Sequence, residues 1–139
     1  MTTSNAPKPV GQYPMTRRVG DLLFLSGLGP RKPKSDSSAA SVPGLVIDAS
    51  GQVVDYDFSA QVHSVFANVI TVLEEAGSDQ SKLVDITVFL TDMDRDFATF
   101  NQLYSEWVSD LDPKPCRTTV QITALPTPIA IELKCIAQP

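Results

Sequence analysis

Between Phe58 and Val108 the apolar residues change period twice, and this switch restricts the possible fold more than any other feature of the chain. Phe58, Val62, Phe66, Val69, Ile70 and Leu73 recur at the spacing of one helix face, with Asp57 placed as N-cap and Gly77 as C-cap. That pattern predicts a helix over 58–76. KLVDITVFLTD (82–92) then alternates with period two, setting Leu83, Asp85, Thr87 and Phe89 against Val84, Ile86, Val88 and Leu90, which is a strand. From Phe97 to Val108 helical spacing returns through Phe97, Phe100, Tyr104, Trp107 and Val108, behind Asp94 and Asp96 as candidate caps.

The flanking segments supply the rest of the sheet. DLLFLSG (21–27) is a short apolar run that fits a strand buried on both faces. Residues 28–44 are rich in proline, glycine and serine without a period, which predicts a long loop; such loops are often functional or disordered. LVIDASGQVVDYD reads as a hairpin turning at Ala49, Ser50 and Gly51. Residues 117–124 and 129–137 read as two strands joined by LPTP, whose prolines suit a connection. The order predicts an α+β fold, a mixed sheet with two helices packed on one face, whose other face needs a cover that a partner subunit could supply. At 139 residues the whole chain, 1–139, is one domain with no room for a separate cofactor domain.

Charge and cysteine content exclude several function classes. With 11 basic and 16 acidic residues the net charge is −5, which opposes binding to phosphate backbones. The aromatic stripe on the second helix is accordingly expected in the core and not as a platform for bases. Cys116 and Cys135 form no C-x-x-C and His63 is the lone histidine, so no zinc site is expected. The two thiols are expected as small core residues on adjacent strands, and His63 as a packed or solvated imidazole on a helix flank. No apolar run approaches the roughly 20 residues that span a bilayer, and MTTSNAPKPV lacks the features of a secretory signal, so a soluble cytoplasmic protein is expected.

The last strand carries the chemistry. Alternation places Ala130, Glu132, Lys134 and Ile136 on one face and Ile131, Leu133, Cys135 and Ala137 on the other. Glu132 and Lys134 can be ordinary strand-surface charges. Alternatively, Arg117 is a fork for a carboxylate and Glu132 a proton carrier, since guanidinium matches carboxylate bidentately and a partly buried carboxyl titrates nearer neutrality. Spacing alone leaves both readings open.

Taken together, GQYPMT (11–16), LLFLSG, GQVVDYDFSAQVHSVFANVITVLEEAG, VDITVFLTDMDRDFATFNQLYSEW, PCRTTVQITALP and IELKCIA resemble the Rid family, the reactive-intermediate deaminases also called YjgF-like proteins, from about residue 9 to 137. The resemblance implies a chorismate-mutase-like homotrimer with ligand clefts between subunits, hydrolysing enamines or imines without metal or cofactor. By motif, Arg117 matches the arginine of P-x-R-[ST], which clamps the substrate carboxylate, and Glu132 the first acidic position of E-[IL]-E-x-I-A, which positions water. Lys134 replaces the second acidic residue there. Tyr13 matches the tyrosine of G-P-Y, Ser26 and Gly27 the S-G bordering the cleft, Phe89 and Asn101 positions in T-V-F and F-x-x-x-N. Tyr13 and Phe89 can equally only pack, and Asn101 only cap or brace a loop.

The chain departs from the family pattern at Gln12, Pro14, Met15, Leu28 and Gly29, and most of all in the insertion at about 28–44, which brings Arg31, Lys32 and Lys34 behind residues bordering the cleft. A charged loop can simply be solvated. A dicarboxylic substrate would need a second cation, however, and a lengthened SG-x-x-x-R-[RK]-P loop resembles that of the 2-aminomuconate deaminases within the family. The implied chemistry is tautomerisation of the enamine to an imine, attack by water held at Glu132, and loss of ammonia, with Arg117 fixing the carboxylate beside the reacting carbon. A broad-specificity imine deaminase and a non-catalytic small-carboxylate binder are the alternatives.

Overall fold

The computed structural model describes residues 4–36 and 38–139. Its strands are β1 (Thr16–Val19), β2 (Leu22–Leu25), β3 (Leu45–Ile47), β4 (Val53–Tyr56), β5 (Leu83–Leu90), β6 (Cys116–Gln121) and β7 (Ile131–Ala137), and its helices α1 (Phe58–Glu75) and α2 (Met93–Trp107). β3 and β4 form the expected hairpin, apart from the main sheet. The main sheet has the order β1-β2-β7-β5-β6, antiparallel throughout except for the parallel pair β5–β6, which α2 connects.

Helix α1 begins where Asp57 accepts the Ala60 N–H at 3.1 Å, satisfying one of the donors that a helix start leaves free. It ends at Ala76, and Gly77 follows with φ +81°, the left-handed conformation that glycine adopts without a Cβ penalty. The cap of α2 is Asp92, whose carboxylate accepts the Arg95 N–H, and not Asp94 or Asp96. Those two lie in the first turn, where negative charge is favoured by the helix dipole but no side chain can cap.

Both helices pack on one face of the sheet. Val62, Val69 and Leu73 of α1, with Phe100 of α2, close over Ile86, Val88 and Leu90 of β5 and Ile131, Leu133 and Cys135 of β7. The alternation in β7 is the expected one. In β5 it holds from Asp85 onward, but a register shift between Leu83 and Asp85 turns Leu83 into the core and leaves Val84 exposed. β2 is buried on one face only: Leu23 and Leu25 are in the core, whereas Leu22 on the other face is 38% exposed.

The terminal strands are shorter than expected, ending at Gln121 and starting at Ile131, and they are not neighbours. β5 lies between them, so Cys116 and Cys135 occupy strands separated by a third. Cys135 is a core residue; Cys116, expected in the core, is exposed at the sheet edge. His63 is exposed on α1. Among the described residues no helix is long and apolar enough to cross a membrane.

Candidate functional site

The sequence-predicted site residues fall into two groups on opposite faces of the sheet. Glu132 follows the period of β7 to the face away from the helices, opposite Phe89 of β5 in the antiparallel register. On its other side the chain leaving β2 is held by two 2.9 Å backbone hydrogen bonds between Leu28 and Leu133, and Ser26 is tied down by its hydroxyl, which donates to the Pro14 carbonyl at 2.7 Å. This brings Gly27 against the Glu132 carboxyl. A Cβ on Gly27 would lie 2.9 Å from Glu132 Cδ and Oε2, so only glycine leaves that carboxyl its place.

Tyr13, Gly27, Gly29, Arg31, Thr127 and Glu132 line one narrow cleft. Its free volume of about 20 Å³ holds about one water molecule. Burial pushes the Glu132 carboxyl above its ordinary pKa, and the Arg31 charge opposes that shift. Tyr13 is partly exposed, and its hydroxyl accepts the Val10 N–H at 3.3 Å. Ser26 borders a neighbouring cleft with Arg17 and Lys134 instead.

The basic insertion does not act as a unit. Arg31 is 7% exposed, its guanidinium donating to the backbone carbonyls of Lys8 at 2.7 Å and Asp36 at 2.9 Å. Burial lowers its pKa from the usual value, against the nearby Tyr13, Asp36 and Glu132. Lys32 is exposed, and Lys34 lines a separate apolar cleft with Lys8 and Met15. The 28–44 segment also contains a 3-10 turn, Ala39–Ser41, and its start is bonded into the sheet beside β7.

Arg117 occupies the other face. It pairs in register with Ile86, whose side chain points to the helices, and its Nη1 donates to Asn101 Oδ1 at 2.9 Å. Its guanidinium lies 4.8 Å from the Tyr104 ring centre and 5.6 Å from that of Phe100, within cation–π range. The Tyr104 hydroxyl and Thr119 Oγ1 beside this group are buried without hydrogen-bond partners among the described residues. Arg117 and Asn101 therefore form one cluster, and Glu132, Gly27, Tyr13, Arg31 and Phe89 another, with β5 between the two strands that carry the principal charges. Among the described residues no group of three or more His, Cys, Asp or Glu side chains comes together as a metal site would require.

Two supporting residues escaped the sequence reading. Asn68 Nδ2 donates to the carbonyls of Gly29 at 2.9 Å and Arg31 at 2.8 Å, and Gln61 Oε1 accepts the Ala130 N–H at 2.8 Å. Both are buried on α1 and pin the two loops that flank Glu132. Their signal was present: two amides seven residues apart on the apolar face of a helix need buried partners.

The chain as a whole is similar to several known proteins. A family described as Endoribonuclease L-PSP matches residues 3–138. A RutC family protein of Pyrococcus horikoshii is 34% identical over 135 residues, covering 97% of this chain and 93% of its own. Reactive Intermediate Deaminase A, chloroplastic, of Arabidopsis thaliana is 32% identical over 137 residues, 99% of this chain and 64% of its own. Among solved structures, RidA from an Antarctic Psychrobacter superposes with a TM-score of 0.77 at 29% identity, covering 99% of this chain and 97% of that one. E. coli TdcF with bound serine does so with a TM-score of 0.77 at 27% identity, covering 99% and 96%.

Proposed function

The chain belongs to the Rid/YjgF/RutC family, whose members include reactive-intermediate deaminases of enamines and imines, and from that premise we propose that it hydrolyses an enamine or imine carboxylate, most specifically 2-aminomuconate. The observation that carries the reading is Glu132: a half-buried carboxyl with a raised pKa beside a space for one water. In the reaction the enamine tautomerises to the imine, C=NH. The water gives a proton to Glu132 as its oxygen attacks the imine carbon, and Glu132 passes that proton to the nitrogen, giving the carbinolamine C(OH)NH2. Glu132 then takes the hydroxyl proton and delivers it to the departing nitrogen as the tetrahedral intermediate collapses to C=O and ammonia. Water is the only co-reactant.

Arg117 fixes the carboxylate next to the reacting carbon. A structural relative binds serine, itself a small carboxylate, which supports a ligand of this kind. Because Arg117 and Glu132 face opposite sides of one sheet, a site that uses both takes them from two copies, and the uncovered sheet face, with Leu22 and Val120 exposed, favours a homotrimer with sites between subunits. The 2-aminomuconate reading rests on Arg31. Its two carbonyl bonds use two of five N–H donors, leaving others for a substrate's second carboxylate. RNA cleavage, which the family description suggests, is disfavoured by the net charge of −5.

Ammonia release from 2-aminomuconate and from a small monocarboxylic imine, each generated in situ, tests the proposal. The expected result is turnover of both with higher kcat/KM for the dicarboxylate, and a loss of about 10²- to 10⁴-fold in Glu132→Gln. Equal kcat/KM would favour a broad-specificity imine deaminase. Tight carboxylate binding with no ammonia above background would make the protein a non-catalytic binder.

A further inference from the structure

A buried arginine needs a reason, and Arg31 has no anion in contact. The ion pairs within 4.0 Å among the described residues are those of Arg95, so the Arg31 guanidinium and the Glu132 carboxylate stand more than 4.0 Å apart. That gap is part of the one-water cleft both residues line. The cation is also fixed at both ends. Its carbonyl accepts from Asn68 of α1, and its guanidinium is held by the Lys8 and Asp36 carbonyls. The amino-terminal segment that supplies Lys8 is itself bonded to the loop, Lys8 N–H to the Ser35 carbonyl at 2.8 Å and Lys34 N–H to the Asn5 carbonyl at 3.2 Å.

We infer that Arg31 is a positioning residue for Glu132: a cation clamped by the amino-terminal strap, which holds the Glu132 carboxylate and its water in place before substrate arrives. The inference rests on reading Glu132 as the proton carrier. Other groups around the carboxyl do not replace Arg31. Tyr13 comes from the strap side and Phe89 from β5, while Lys134, two residues along β7, directs its ammonium to the Leu25 carbonyl. From α1 the Asn68 amide donates to the Gly29 and Arg31 carbonyls, and the Gln61 side-chain oxygen accepts the Ala130 N–H. Clamping the guanidinium on backbone carbonyls removes its rotamer freedom in advance, so its charge acts on Glu132 from one place.

The sign is fixed by this arrangement. A positive charge favours the carboxylate, so its removal moves the Glu132 titration upward. The experiment follows the side-chain carboxyl ¹³C resonance of Glu132 against pH in the full-length wild type, Arg31→Gln and Arg31→Lys, with Glu132→Gln to assign the signal. Gln can still donate to a carbonyl but carries no charge. An upward shift in Arg31→Gln, return towards wild type in Arg31→Lys, and a matching move of the acid limb of kcat/KM are expected. An unmoved Glu132 titration in folded Arg31→Gln overturns the inference. If that variant does not fold, the wild-type Arg31 Nε resonance decides: it should show an inflection at the Glu132 midpoint that vanishes in Glu132→Gln, and a flat trace overturns the inference. These titrations need no turnover, so absence of ammonia release would sink the proposed reaction while leaving the Arg31–Glu132 coupling readable.

Discussion

Arg117 and Glu132 lie on opposite faces of the sheet, on β6 and β7, with β5 between them. Two strand spacings, roughly 9–10 Å, and the thickness of the sheet separate the groups that the proposed chemistry needs together. A mixed-copy experiment reads this directly. Arg117→Ala and Glu132→Gln should each be inactive alone, yet equal amounts unfolded together and refolded should recover about a quarter of wild-type activity. Each shared site has one chance in two of drawing an intact arginine and one in two of drawing an intact glutamate. No recovery would place the working site within one chain, and a stable monomer by light scattering would remove the shared site altogether.

Gly27→Ala should damage activity without damaging the fold. The added methyl would meet the Glu132 carboxyl at 2.9 Å and push it aside, while the core beneath is untouched. Displacement of a reacting group by about 1 Å can cost on the order of 10²-fold, so kcat should fall by about that factor with Tm nearly unchanged. A variant with wild-type kcat would show that the carboxyl has room to move.

Asn68→Ala should do the reverse first. It removes the donor shared by the buried carbonyls of Gly29 and Arg31, which keep the Arg31 N–H at 3.0 Å and the Ser64 hydroxyl at 3.5 Å, at a cost of about 1–3 kcal/mol, and loosens the loop that carries Arg31. Urea unfolding measures the cost; a loss below about 0.5 kcal/mol would mean that water replaces the amide.

Asp96 offers a pH-dependent stability. It is 3% exposed, accepts the Tyr56 hydroxyl at 3.0 Å and pairs with Arg95 at 3.1 Å, yet burial outweighs these partners and raises its pKa. The folded chain therefore keeps this proton to higher pH than the unfolded chain. The resulting stabilisation is fully present below the unfolded value, near 3.9, and is lost as pH rises through the folded value. Between pH 3 and pH 7 the wild type should gain less, or lose more, stability than Asp96→Asn does, by urea unfolding at both. Equal changes in the two proteins would show that Tyr56 and Arg95 fully offset the burial.

The sequence by itself determined the elements and several of their faces. The period switches at 58–108 read as α1, β5 and α2, and alternation in β7 put Glu132 opposite Ile131 and Leu133. Such features are legible because helix and strand geometry, which a few consecutive residues express, decides which side chains share a face. Caps were less legible, since Asp92, Asp94 and Asp96 all satisfy the residue preference and only the helix start selects Asp92. Tertiary structure alone decided that β5 separates β6 from β7, which parted the two cysteines and turned Arg117 away from Glu132. β6 reads CRTTVQ, with no apolar face to announce its orientation, and its place in the sheet depends on contacts far along the chain. The burial of Arg31 was equally hidden, because one of the two carbonyls that clamp it belongs to Lys8, 23 residues away, and no local pattern records which distant backbone will dock on a side chain.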